Sequence, residues 1–526
     1  MGLNELILKL SESGNDVLTK NLTARITKIK EYLLGLKEIR VFTANSQQFG
    51  HQASTVNILR NLIRMGATGP YTLVLSGSSM SDTIDLEQKI ALLIPQFKLG
   101  EKEFKLNGCT VNVVSMYPGT DKLKLADFAI NGGFDDIEGK TPPYDKLNVI
   151  NYVQLQPYAW HRGTNMVRID EMGLPAIINL DKLSPGTNLA RRAFYLDPVL
   201  TESDWTTMED GKYKEQVSVC KYLLGELDAS KIFLVPGYGF GTKGGGWSNL
   251  YNVVAGVRQS QKTIGAAQKT TVIVAIGVSQ SDWSTFTDII LFGEDGGTPT
   301  PDFTKFNTET VEGSVSYEGS GNNPATLEKV KVALGKIAGD PQKALVVFLD
   351  KIPGPLFDQL YKRASLPPLL EGQNTTELML NFGKSYLKIS SNETDTVYGY
   401  PTLPLNSLAS GTQALDAQNR AYNGIVASKP NVWYSDRSTY PPNQLPPVTT
   451  AYLTPQDNKL AKYFTDLGKF FHDEMNDKLL RGLDLFVNMI GPGGVSVTEL
   501  VMTKTAAVEV NVVEALYQQL VQYTHD

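Results

Sequence analysis

Leu345-Val-Val-Phe-Leu-Asp-Lys-Ile-Pro-Gly-Pro355 and, a turn of helix later, Leu366-Pro-Pro-Leu-Leu-Glu-Gly-Gln-Asn-Thr-Thr-Glu-Leu-Met-Leu-Asn-Phe-Gly-Lys384 decide the fold. Residues 344–349 are a continuous apolar run, which suits a strand buried on both faces of a parallel sheet. Pro353 and Pro355 open a helix, where a missing N–H costs nothing, and that helix ends near Ala364. Residues 366–370 make a second short strand. The order is strand, tight loop, helix, strand, polar turn, helix.

The polar turn is Glu371-Gly-Gln-Asn-Thr-Thr376. Free backbone N–H groups, hydroxyls and the positive end of a helix dipole there favour a phosphate or another anion. Glu371 can accept hydrogen bonds from a sugar's paired hydroxyls, and Thr375 and Thr376 can donate to a phosphate. The plain alternative is an ordinary capped turn, with Asn374 or Thr375 as N-cap and Glu377 completing it.

Working outward, 526 residues favour two or three domains. Apolar residues are 41% and charged residues 20%, enough for more than one core. The net charge of −6 comes without a long basic run, which disfavours nucleic acid as a partner. Cys109 and Cys220 are too few for a disulfide framework or a zinc site, and four histidines make a His-rich metal centre improbable. Reduced thiols, no signal-peptide pattern and no apolar run approaching ~20 residues point to a cytoplasmic chain without a transmembrane segment; export by a specialised machine stays open.

Residues 3–36 read as one or two helices, and Ile39–Ala44 as the first clear strand. A helix through about Met65 and a strand at Tyr71–Ser76 then complete a βαβ unit, which favours a parallel sheet. Helix 82–94 and strands 111–116, 126–130 and 149–155 continue the pattern. A first Rossmann-like domain therefore spans 1–205, with Ser203–Lys214 as a hinge. A helix at 213–227 and the strand Lys231–Val235 open the second domain, 206–455. Strands at 271–277 and 288–292 and helices at 247–257 and 326–338 belong to it. Two long loops, 293–325 and 391–455, read as insertions, the first as a possible lid. Residues 456–526 are C-terminal helices. The fold class is α/β, with two Rossmann-like domains.

Four stretches carry candidate chemistry. Gly50-His51-Gln52 follows the first strand and opens a helix, where ligands approach an open sheet; Gln52 is a candidate acceptor contact. Gly237-Tyr-Gly-Phe-Gly241 also lies between a strand and a helix. Backbone can approach a diphosphate closely where Cβ is absent, and Lys243 can neutralise phosphate charge. A flexible loop is the plain alternative, and the spacing departs from a dinucleotide fingerprint. Asp350-Lys-Ile-Pro353 and Glu371–Thr376 end neighbouring strands and should share one edge. Finally, Gln154–Arg162 offers Tyr158 and Trp160 as aromatic faces for a sugar or peptide acceptor, or a well-packed loop.

The segment from residue 345 to 384 resembles the donor-nucleotide end of GT-B glycosyltransferases. It has the exposed loop after one strand, the Glu-Gly turn after the next, and the Gly383-Lys384-Ser385 step, with Ser where Pro is usual. The resemblance implies two domains facing across a cleft. Backbone at Ile352 would meet the base, and Glu371, Gly372, Gln373, Asn374, Thr375 and Thr376 would meet ribose and phosphates. Gly237, Tyr238, Gly239 and Lys243 would face the diphosphate. His51 matches the Gly-His pair that many inverting members carry in this loop, the His serving in some as general base, with Asp127, Asp135 and Asp136 as fallback bases. Glu371 and Glu377 are six apart, not the eight of the retaining pair. The expected activity is inverting, metal-independent transfer from a nucleotide sugar, a UDP-sugar first, to a sugar, small-molecule or protein acceptor. A sugar-nucleotide epimerase and a non-catalytic binding protein are the rivals.

Overall fold

The structure is a computed structural model. It describes residues 24, 27–46, 49–133, 147–155, 166–171, 174–179, 200–239, 269–277, 294–295, 298–299, 308–313, 327–339, 344–349, 351–370, 373–384, 386–388, 465 and 478–490. The chain divides into two compact units. One is Met1–Leu196 with Phe470–Asp526, and the other is Asp197–Lys469.

The first unit holds an eight-stranded sheet. Its strands are β1 (Ile39–Ala44), β2 (Tyr71–Ser76), β3 (Glu103–Leu106), β4 (Cys109–Met116), β5 (Ala126–Gly133), β6 (Val149–Gln154), β7 (Met166–Glu171) and β8 (Leu174–Asn179), in spatial order β3-β4-β2-β1-β5-β6-β7-β8. The five middle strands run parallel, and antiparallel strands close both edges. Counting the parallel strands alone, the order is 3-2-1-4-5, compatible with a Rossmann-like fold. The order reverses between β1 and β5.

Local sequence explains the pieces. β1 and β2 are buried along nearly their whole length, as strands covered on both faces must be. Helix α1 (Gly50–Arg64) turns Val56, Leu59, Leu62 and Ile63 inward at helical spacing. Helix α2 (Met80–Leu93) starts at Ser79, whose hydroxyl accepts from the Asp82 amide. Asn107 and Gly108, both at positive φ, form the two-residue turn between β3 and β4, the hairpin chemistry that favours Asn-Gly. At the carboxyl end of β5 the register against β1 shifts between Phe42 and Thr43, a bulge at Gly132.

The C-terminal segment groups with the first unit. Helix α8 (Lys478–Ile490; α3 to α7 follow below) does not stand apart but packs its Leu479, Leu483, Phe486 and Val487 into the first unit's core. The Phe486 ring meets Tyr32 edge-on at 5.4 Å and Phe128 at 5.4 Å. Gly482 lies so close to Leu155 that an added Cβ would come within 2.5 Å of its side chain.

The second unit holds a six-stranded parallel sheet. Its strands are β9 (Ile232–Tyr238), β10 (Thr270–Ile276), β13 (Thr308–Gly313), β14 (Ala344–Leu349), β15 (Leu369–Leu370) and β16 (Leu387–Lys388), in order β13-β14-β10-β9-β15-β16. A separate two-stranded ribbon pairs β11 (Glu294–Asp295) with β12 (Thr298–Pro299). Part of the expected 293–325 insertion is thus an edge strand, β13, hydrogen-bonded along β14. The expected hinge is also helical. Thr201 and Asp204 form a reciprocal capping box that starts α3 (Glu202–Glu209), and α4 (Lys214–Asp228) follows. The expected strand at 288–292, the helix at 247–257 and the loop at 391–455 lie outside the described residues.

Helices α5 (Leu327–Ile337), α6 (Gly354–Lys362) and α7 (Gln373–Asn381) complete the described part of this unit. The seam between β9 and β15 is built unusually. Leu234 donates its N–H to Ser365 Oγ at 2.5 Å and accepts from the Ser365 amide at 3.0 Å. Beyond Ser365, Pro367 and Pro368 have no N–H to give, so regular pairing resumes only where Leu369 lies opposite Gly237. This shortens β15 to two residues, where the sequence suggests five. Tyr361, fully buried on α6, pins the same point by donating to the Leu369 carbonyl at 2.7 Å.

Candidate functional site

The second sheet, taken as β14-β10-β9-β15-β16, again reads 3-2-1-4-5, and its order reverses between β9 and β15. In open α/β sheets ligands bind beyond the carboxyl ends of the strands at such a reversal. The pairing of Leu369 with Gly237 brings two predicted stretches to that place. From β9 come Gly237, Tyr238 and Gly239. From β15 the chain passes through Glu371 and Gly372, outside the described residues, into the amino end of α7.

Gly239 has φ +95°, a left-handed conformation that favours glycine, and it turns the chain off the strand. Helix α7 begins at Gln373, so the first-turn amides, which a helix does not pair internally, lie at the carboxyl edge. Asn374 is half-buried, Thr375 and Glu377 are buried, and Thr376 lies on the same helix. Ile352 sits in the loop between β14 and α6 with its side chain buried, so only backbone there can meet a ligand. Lys243 lies outside the described residues.

The Tyr238 ring is half-buried and held from two sides. It meets Phe357 edge-on at 5.7 Å, and Phe357 stacks on Tyr361 at 4.5 Å. Gly277, at the end of β10 with φ +73°, lies against it, and an added Cβ would come within 3.3 Å of Tyr238 Cε2. Sequence reasoning missed this seat, because nothing in the spacing of Gly277 and Phe357 links them to Tyr238.

The Gly383-Lys384 step has a local cause. Gly383 has φ +62°, and the Lys384 amide bonds the Met379 carbonyl, the six-to-one closure of a Schellman cap on α7. Lys384 Nζ then donates to the Ala364 carbonyl at 2.8 Å. Burial pushes this amine down to about 8, with Arg363 and Lys362 adding repulsion. It precedes β16 and so lies at the amino edge, away from the candidate site.

In the first unit, His51 is half-buried in the first turn of α1, at the carboxyl edge. Gln52 is fully buried, and its amide donates to the Ala44 carbonyl at 2.9 Å and to Ser46 Oγ at 3.3 Å. It ties the first turn of α1 to Ala44 and Ser46 and does not offer itself as an acceptor contact. Asn45 and Ser46 are held further by Lys89, which donates to Asn45 Oδ1 at 2.8 Å and the Ser46 carbonyl at 2.6 Å and pairs with Asp85 at 2.8 Å. The amide of Ser78 and the side chain of Asn45 keep the Asp82 carboxyl below its usual range.

A buried polar relay that sequence reasoning did not assemble ends β5 and β6. Asn131 Nδ2 donates to the Tyr152 hydroxyl at 2.9 Å, which donates to Gln154 Oε1 at 3.0 Å. The signal for it was polar residues ending otherwise apolar strands.

Asp127 falls at the wrong end. It is the second residue of β5, at the amino edge, where its carboxylate accepts from the Lys37 amide at 3.1 Å. His51 is on the opposite edge of the same sheet, so the structure does not bring the two together. Asp135, Asp136, Tyr158 and Trp160 lie outside the described residues.

Among the described residues no group of three or more His, Cys, Asp or Glu is arranged to hold a metal ion, and no helix is long and apolar enough to cross a membrane. Comparison with protein-family models and with curated proteins gave no match.

Proposed function

We propose that the chain is a GT-B-like, metal-independent glycosyltransferase that uses a nucleoside-diphosphate sugar, a UDP-sugar first. The observation that carries this reading is the Leu369–Gly237 pairing, which sets a glycine-bearing strand end beside the amino end of α7 at a sheet reversal. Backbone amides and a helix dipole there suit a diphosphate and stabilise it as a leaving group. Glu371 accepts from the ribose hydroxyls. His51 is the candidate base for the proton of the acceptor hydroxyl as its oxygen bonds to the anomeric carbon. The bond from that carbon to the diphosphate breaks, and its electron pair leaves with the nucleotide. Free Cys109 and Cys220 fit a reducing, cytoplasmic setting.

Thermal shift with UDP, GDP and dTDP in EDTA tests the reading. A ligand at about 100 times its Kd adds ~2.7 kcal/mol to the stability of the unit that binds it. One diphosphate should raise the second unit's melting temperature by a few degrees, and Glu371→Ala should cut that rise. A folded protein that answers none of the three is no such transferase.

A further inference from the structure

We propose that the Tyr238 ring, seated on Gly277, is the surface on which the donor's nucleobase stacks. This rests on the nucleotide reading above and adds to it the position and chemistry of the base. Three observations carry it.

First, position. Tyr238 ends β9 directly opposite Ile276 of β10, with Gly277 next in the chain. The diphosphate end of a ligand belongs on the β15 side, at the start of α7. A nucleotide extended from there along the carboxyl edge passes Tyr238 on its way towards the β14–α6 loop at Ile352.

Second, rigidity. Phe357 meets the ring edge-on and is itself stacked on Tyr361. Tyr361 is fully buried and tied to the Leu369 carbonyl. The ring's orientation is thus fixed through a chain of contacts that ends at the same β15 strand that delivers α7. A preset aromatic face loses little freedom when a planar ligand lies on it.

Third, the glycine. Gly277 adopts φ +73°, and its missing Cβ leaves room for the ring. A side chain there would strain the backbone and press on Cε2.

Every base has a π-face, so stacking gives affinity with little base selectivity. Selectivity among bases then falls to the backbone groups of residues 351–353.

The test is calorimetric binding of UDP, GDP and inorganic pyrophosphate to the full chain and to Tyr238→Phe, Tyr238→Ala and Gly277→Ala, with far-UV circular dichroism confirming the fold. Tyr238→Phe should stay within about threefold of the parent. Tyr238→Ala should weaken both nucleotides about tenfold or more, the loss of one base on an aromatic face. It should leave pyrophosphate unchanged, and Gly277→Ala should follow it. Unchanged UDP and GDP affinity in Tyr238→Ala overturns the platform and leaves the nucleotide site standing. Equal losses for pyrophosphate and nucleotides also overturn it, making Tyr238 a support of the phosphate loop. A parent chain that binds pyrophosphate but neither nucleotide overturns both readings.

Discussion

Phe486→Ala is the sharpest test of the assignment of α8 to the first unit. The side chain is fully buried and meets Tyr32 and Phe128 at 5.4 Å each. Truncating a buried Phe removes its transfer energy and leaves a cavity, together ~3–5 kcal/mol, within which each aromatic pair contributes roughly 0.5–1.5 kcal/mol. Against a urea slope of about 2 kcal/mol/M, the first unit's midpoint should fall by about 1.5–2.5 M. Urea melts give the size of the effect, and hydrogen exchange read by peptide mass gives its address. Protection should drop across 39–44, 71–76 and 128–133 and hold across 232–238, 270–276 and 344–349. Loss of protection in the second set, or a midpoint shift below about 0.5 M, would refute the packing argument. Leu480→Ala, on the half-buried side of the same helix, should cost markedly less.

Thr201→Ala breaks the capping box of α3 and should cost about 1 kcal/mol, read by thermal melting of the second unit. Tyr361→Phe removes the bond to the Leu369 carbonyl, a cost of roughly 0.5–1.5 kcal/mol that calorimetry should also report as weaker nucleotide binding. Lys384 is protonated more readily in the unfolded chain than in the fold. Its burial therefore costs stability below pH 8, and that cost is relieved as pH rises from about 8 towards its unfolded value near 10.5. Lys384→Met should lack this rise in denaturant midpoint across that window. Glu38 behaves oppositely. Burial alone would raise its carboxyl, but hydrogen bonds from Arg40 and Thr72 and the Arg40 charge win and hold it below 4.5. Its contribution is therefore present above that value and lost as pH falls through the lower folded one. Glu38→Gln should flatten the acid limb of the stability curve.

How much of this was legible beforehand depended on what each segment buries. β1, β2, β10 and β14 are buried on both faces, and their mostly apolar runs announce themselves in sequence. β13, Thr-Glu-Thr-Val-Glu-Gly, is an edge strand with polar alternation, and it reads as loop until its pairing with β14 is seen. The Asn107-Gly108 hairpin and the Thr201–Asp204 box rest on local signals of two to four residues, which apolar periodicity does not carry. Strand order suggested that Asp350–Pro353 and Glu371–Thr376 end neighbouring strands, but β10 and β9 lie between β14 and β15, because β15 pairs with β9 instead. The seat of Tyr238 was not anticipated, since it depends on a glycine and an aromatic far along the chain. Gln52 and Asp127 had suitable chemistry for site roles. Burial of the first and the register of the second gave them other work.

Helix α8 also sets an order of events during synthesis. Residues 39–155 of the first sheet leave the ribosome long before residues 478–490 exist. At about 5–20 residues per second the delay from residue 196 to residue 478 is roughly 15–60 s. Through that interval Phe128, Leu155 and Tyr32 wait without the aromatic and leucine side chains that finally cover them. Until α8 is made, that face of the nascent first unit stays uncovered.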